Sequence, residues 1–174
     1  MKTIKDEENC ENISPDRISN EKKSEPLNIA IRRYLFNLEK KYNIKCKDLT
    51  RVRNFKGRKG EHVADFLVDD IAVIEAKNWD CPGKYDSHGY TISNYNAKTE
   101  IIDRFTNYPK HLQRILIIAD PVWCEGVKEN LLKKGIHIIE LGFLVTNDNI
   151  IVASEIIEAQ MNNLLFPKVT QMTL

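Results

Sequence analysis

Two short apolar runs constrain this chain more than any other feature. Residues 114–119 read RILIIA and residues 135–141 read GIHIIEL. Both are rich in β-branched residues and have the length of strands covered on both faces. Between them, Cys124 to Lys134 carries Val127, Leu131 and Leu132 at helical spacing, and Gly135 stands where such a helix stops. Strand, helix and strand in that order predict a parallel pair with a right-handed crossover. The chain is expected to belong to the α/β class.

The preceding elements fit that frame. Leu27, Ile31, Tyr34, Leu35, Leu38 and Tyr42 form one stripe of a first helix starting near Pro26, with Ser24 as its cap. Lys47 to Phe55 reads as a first strand. A helix over Ser93 to Tyr108, capped by Ser93 and ended by Pro109, would bury Ala97, Ile101, Ile102 and Phe105. Gly142 to Ile151 is either a further strand or an irregular connection. Ala153 to Leu165 reads as an amphipathic helix that caps the core or meets a second copy. Residues 1–25 are polar and expected as a disordered tail, 26–165 as a single domain, and 166–174 as a loose C-terminal tail.

The chemistry concentrates in Glu61 to Trp79, EHVADFLVDDIAVIEAKNW. Two apolar runs flank Asp69 and Asp70, which predicts two strands joined by a tight turn. Glu75 and Lys77 are two apart, so they share one face of the second strand. Charged residues on an otherwise apolar strand are costly unless paired or bound. Asp65 and Glu75 together suit a hard cation such as Mg²⁺, with the main-chain carbonyl of Ala76 as a third oxygen donor. Lys77 would stabilise an attacking hydroxide or the charge developing on a phosphate. A two-residue turn would send Asp65 and Glu75 to opposite faces, so their convergence requires an odd-length turn or a bulge. The ordinary alternative is a surface strand with an exposed Glu75–Lys77 ion pair.

Asp65, then Glu75-Ala76-Lys77 between strand-like flanks, resembles the PD-(D/E)xK nuclease superfamily, which includes restriction endonucleases, archaeal Holliday-junction resolvases and Mrr-like nucleases. Ala64 stands where that superfamily often has proline. The resemblance spans roughly Leu27 to Leu141. It implies a three-layer restriction-endonuclease-like fold, with a central mixed β-sheet flanked by helices and the site at one edge of the sheet. It implies a Mg²⁺- or Mn²⁺-dependent DNA endonuclease, with Asp65 and Glu75 as metal ligands and Lys77 as the catalytic lysine. It also implies cleavage to 5′-phosphate and 3′-hydroxyl ends. In several such families a carboxylate from the first helix joins the metal, and Glu39 and Glu25 are the candidates. The central helix often lends a polar side chain, for which Asn94, Lys98 and Arg104 qualify.

A basic segment precedes Asp65. Arg51, Arg53, Lys56, Arg58 and Lys59 lie in ten residues without an acidic one, and Gly57 and Gly60 make the end of it a loop. With a net charge of only +1 over 174 residues, attraction to DNA must come from such local clustering. His62, Asn78, Trp79 and His88 are weaker candidates for substrate contact. The four cysteines show no metal-ligand spacing, and no organic cofactor is expected. No secretory signal and no membrane-length apolar run are visible, so a soluble, cytoplasmic protein is expected. The size leaves no separate recognition domain, which favours a homodimer or recognition of DNA shape. The competing reading is a non-catalytic nucleic-acid-binding or assembly module on the same fold.

Overall fold

The computed structural model describes residues 15–50, 63–79 and 92–167. In chain order the elements are α1 (Pro15–Tyr42), β1 (Cys46–Asp48), β2 (Phe66–Val68), β3 (Ala72–Lys77), a helical segment 94–105, β4 (Gln113–Ile118), α4 (Val127–Lys133), β5 (Ile136–Glu140) and α5 (Ile150–Leu165). The segment 94–105 is itself composite: α2 (Asn94–Asn96), a π-helical turn (Ala97–Ile102) and α3 (Asp103–Phe105).

The five strands lie in the order β1-β2-β3-β4-β5. The first three form an antiparallel meander. The pairs β3–β4 and β4–β5 are parallel. The sheet is therefore mixed, and β3 is its middle strand.

Strand alternation sorts the core into two halves. Ala72, Ile74 and Ala76 of β3 pack with Leu27, Ile31 and Leu38 of α1 and with Ile157 and Met161 of α5. Val73 points the other way, into a cluster with Ala97, Ile101 and Phe105 of the central segment and Val127 and Leu131 of α4. Helices thus cover both faces, and the expected α/β class with its parallel β4–β5 pair is found. Each fully buried Val, Leu, Ile, Phe or Met side chain in these layers contributes ~1.5–3 kcal/mol.

Several boundaries differ from the sequence expectation for local reasons. The first helix begins at Pro15 and runs through Pro26, within the stretch expected as a polar tail. Arg17, Glu21, Lys22 and Lys23 are good helix formers even though they are polar. At its other end, α1 stops at Asn43, whose φ of 54° is the left-handed conformation that asparagine tolerates. The first strand ends at Asp48, well short of Phe55, because the Asp48 carboxylate accepts from Thr50 N–H at 3.0 Å and turns the chain. Residues 51–55 lie outside the described residues. The helix expected from Cys124 begins at Val127, and Gly135 closes it at φ 74° as expected. The connection 142–149 adds no strand. Among the described residues no helix is long and apolar enough to cross a membrane.

Candidate active site

The turn between β2 and β3 decides where the carboxylates go. Val68 pairs with Ala72, leaving Asp69, Asp70 and Ile71 as a three-residue loop. Asp69 adopts φ 41°, and Ile71 N–H donates to the Val68 carbonyl at 2.9 Å. This is the odd-length turn that convergence required. Phe66 lies opposite Ile74, so one further step of that register sets Asp65 against Glu75 on the same face.

Asp65 is fixed from three sides. Its N–H donates to the Ile74 carbonyl at 3.0 Å, and its carbonyl accepts from Leu49 N–H at 2.8 Å. Its carboxylate accepts from the Ala76 N–H at 2.8 Å, replacing the backbone partner that β2 would otherwise supply. The preceding residue is pinned as well, since the Ala64 N–H donates to the Tyr108 hydroxyl at 3.2 Å. Carbonyl directions alternate along β3. The Ile74 carbonyl faces β2, and the Lys77 carbonyl faces β4, where it accepts from Ala119 N–H. The Ala76 carbonyl therefore lies on the β2 side, beside the Asp65 carboxylate.

Glu75 is fully buried, and the Lys77 side chain retains only 10% exposure. Their Oε1 and Nζ atoms are 2.9 Å apart. Taking each ion out of water costs several kcal/mol, and mutual pairing offsets that cost. The surface ion pair of the ordinary alternative is not what the chain forms. Trp79, next on the same face, places its ring centroid 5.5 Å from the Lys77 ammonium.

The central helical segment covers this face and adds two charges. Glu100 Oε2 is 3.4 Å from Lys77 Nζ, and Arg104 Nε is 3.9 Å from Glu75 Oε1. Glu100 and Arg104 also face each other, at 3.7 Å. Ser93 caps the segment as expected, accepting from the Asn96 N–H. Of the polar residues proposed from this helix, Arg104 reaches the site, whereas Asn94 and Lys98 are exposed. Glu100 was not anticipated. Its only signal in the sequence is its place one turn before Arg104, beside the Ala97–Ile101–Phe105 stripe. A π-helical turn is rare and is often found at functional positions.

The first-helix carboxylates are engaged elsewhere. Glu39 Oε1 accepts from the Cys46 N–H at 2.8 Å. Glu25 pairs with Arg32 at 2.7 Å. The helix that carries them packs on the Ala72–Ile74 face of β3, opposite Glu75 and Lys77. Asn78 is buried, and its amide bonds both the N–H and the carbonyl of Val145, at 3.0 and 2.8 Å. That tie holds the end of β3 to the connection after β5. Arg51, Arg53, Lys56, Arg58, Lys59, His62 and His88 lie outside the described residues.

Glu75 and Lys77 stand at the carboxyl end of the middle strand, not along an edge strand of the sheet. In parallel α/β sheets this end is where ligands bind. Asp65, Glu75 and the Ala76 carbonyl are hard oxygen donors and fit Mg²⁺ or Mn²⁺, which commonly takes one or two carboxylates and completes its shell with water and phosphate. Among the described residues no group of three or more His, Cys, Asp or Glu side chains forms a metal cage. Any cation here would depend on that water and phosphate. Comparison with protein-family profiles, curated protein sequences and solved structures returns no match.

Proposed function

We propose that this protein is a Mg²⁺- or Mn²⁺-dependent DNA endonuclease of the PD-(D/E)xK type, on a restriction-endonuclease-like fold. The observation that carries the reading is the buried Glu75–Lys77 pair at 2.9 Å, on the strand face that the three-residue loop sets against Asp65. A chain gains little stability from burying such a pair compared with apolar residues of similar size. A pair kept at a sheet's carboxyl end, beside a second buried carboxylate, is better explained by chemistry.

Asp65 and Glu75, with the Ala76 carbonyl, would hold the cation, which when bound lowers the pKa of water and neutralises phosphate oxygens. Asp65 is positioned by its bond from Ala76 N–H, so its carboxylate does not have to be ordered when substrate arrives. Glu75 orients the Lys77 ammonium. Lys77 faces the reacting centre and stabilises the hydroxide that attacks phosphorus and the charge gathering on the phosphate oxygens. Burial around Glu75 strengthens each of these interactions by excluding water. The polynucleotide backbone would be gripped by Arg51, Arg53, Lys56, Arg58 and Lys59.

The test is cleavage of linear duplex, single strand, flap and four-way junction DNA with and without Mg²⁺ or Mn²⁺. Metal-dependent cutting that disappears in Glu75→Ala is the expected outcome, and the preferred substrate separates a resolvase from a general endonuclease. One observation favours a second reading. The Lys77 ammonium already pairs with two carboxylates, Glu75 and Glu100, as in a non-catalytic binding or assembly module built on the same fold. Tight DNA binding with no cutting of any substrate would select that module.

A further inference from the structure

We propose that Lys77 and Arg104 form an anion-binding pair that Glu100 fills in the free protein, and that a phosphate group of the substrate displaces Glu100 from it. The proposal rests on the nuclease reading for the owner of that phosphate.

A single oxygen, Glu100 Oε2, lies 3.4 Å from Lys77 Nζ and 3.7 Å from Arg104 Nη2. The two cations come from different elements, β3 and the central helical segment, and both also approach Glu75 Oε1, at 2.9 and 3.9 Å. Both Glu100 separations exceed the ~2.7–2.9 Å of a tight charge-assisted hydrogen bond. Glu100 therefore balances charge without satisfying either donor well. Arg104 Nε is buried and, among the described residues, has no hydrogen-bond partner; its nearest carboxylate oxygen, on Glu75, stands 3.9 Å away. A guanidinium offers a fork of donors matched to phosphate. A tetrahedral phosphate carries more oxygens than a carboxylate and can meet the ammonium, Nη2 and Nε together.

Glu100 is also the group that can leave. Its side chain is 42% exposed, against 22% for Arg104, 10% for Lys77 and none for Glu75. It lies beside the apolar stripe of Ala97, Ile101 and Phe105 and not within it, so turning its side chain to solvent would leave that stripe packed. While it remains in place it competes with any incoming anion, and the apparent affinity falls by the fraction of time the pair is occupied.

The test uses the full chain in a Trp123→Phe background. The protein has two tryptophans, so Trp79, 5.5 Å from Lys77 Nζ, becomes the sole reporter. Inorganic phosphate is titrated in the presence of EDTA while Trp79 emission is followed. Saturable binding is expected, about tenfold tighter in Glu100→Gln and at least about tenfold weaker in Arg104→Gln. Far-UV circular dichroism confirms that each variant is folded. Should Arg104→Gln fail to fold, Arg104→Lys keeps the charge without the fork and is expected to bind severalfold more weakly. Wild-type affinity in Glu100→Gln, wild-type affinity in the Arg104 variant, or no saturable response even in Glu100→Gln would each overturn the proposal. Phosphate binding needs neither DNA nor cleavage, so this site and the nuclease reading fail separately.

Discussion

Lys77 and Glu75 show how one pair of residues can be both a liability and an instrument. Removing either partner strips the other of its closest counter-charge and leaves it to longer contacts with Glu100 or Arg104, at a cost of up to ~3–5 kcal/mol. Replacing both together removes the liability. Urea unfolding of Glu75→Gln, Lys77→Met and the double variant should therefore show strong coupling. The double variant is expected to lose less than the sum of the singles by ~1–3 kcal/mol. Additive losses would mean that the 2.9 Å contact is not an energetic unit. The shared face of Glu75 and Lys77 was legible in the sequence because strand geometry repeats every two residues. So was the need for an odd turn before Glu75. Glu100 was not legible, because a polar residue on a helix reads as solvated until the helix's rotation against the sheet is known. Glu39 and Glu25 stayed open as additional ligands for the same reason: a flank position does not reveal which sheet face the helix covers.

At the scale of elements, α1 is tied to the chain beyond it by a small ionic network. Arg32 donates to Asp48 at 2.7 Å, to Glu25 at 2.7 Å and to Thr50 at 3.0 Å. Burial pushes the Asp48 carboxyl up, but hydrogen bonds from Thr50 and Arg32 outweigh it and hold the group below the usual carboxylate range. Arg32 is held above its ordinary value: burial lowers it, and the bonds to Asp48 and Glu25 more than reverse that. A depressed carboxylate favours the folded state above its unfolded pKa of about 3.9, and that contribution disappears as pH falls through the lower folded value. Asp48→Asn should therefore flatten the acid limb of a stability–pH profile while leaving the neutral region nearly level. An acid limb as steep as in the wild type would remove Asp48 from the account. Strand patterning could not foresee that β1 ends here, because Asp48 competes for the backbone through its side chain, not through its hydrophobicity. By contrast, Ser93 and Gly135 act through local geometry alone and were readable at once.

For the whole molecule, the order of apolar runs was enough for the α/β class, the antiparallel meander and the parallel pair that follows it. It was not enough to give the strand order across the sheet, which depends on where each connection crosses. Net charge also acts at this scale. A chain at +1 has no global pull on a polyanion. If Arg51, Arg53 and Arg58 grip phosphates, replacing all three with Ala should reduce the slope of log binding constant against log salt by about 0.9 per lost contact on duplex DNA. An unchanged slope in a filter-binding or anisotropy titration would exclude that segment from the interface.

The clasp between Asn78 and Val145 closes a separation of 67 residues with one side chain. Its consequence is one of timing. Contacts so distant along the chain cost more loop-closure entropy than a local hairpin does. A ribosome delivering this chain would expose Asp65, Glu75 and Lys77 well before Val145 emerges. Until then the carboxyl end of β3 lacks its tie to the connection after β5, so the strand that carries the charged cluster is pinned there only once that connection has been made.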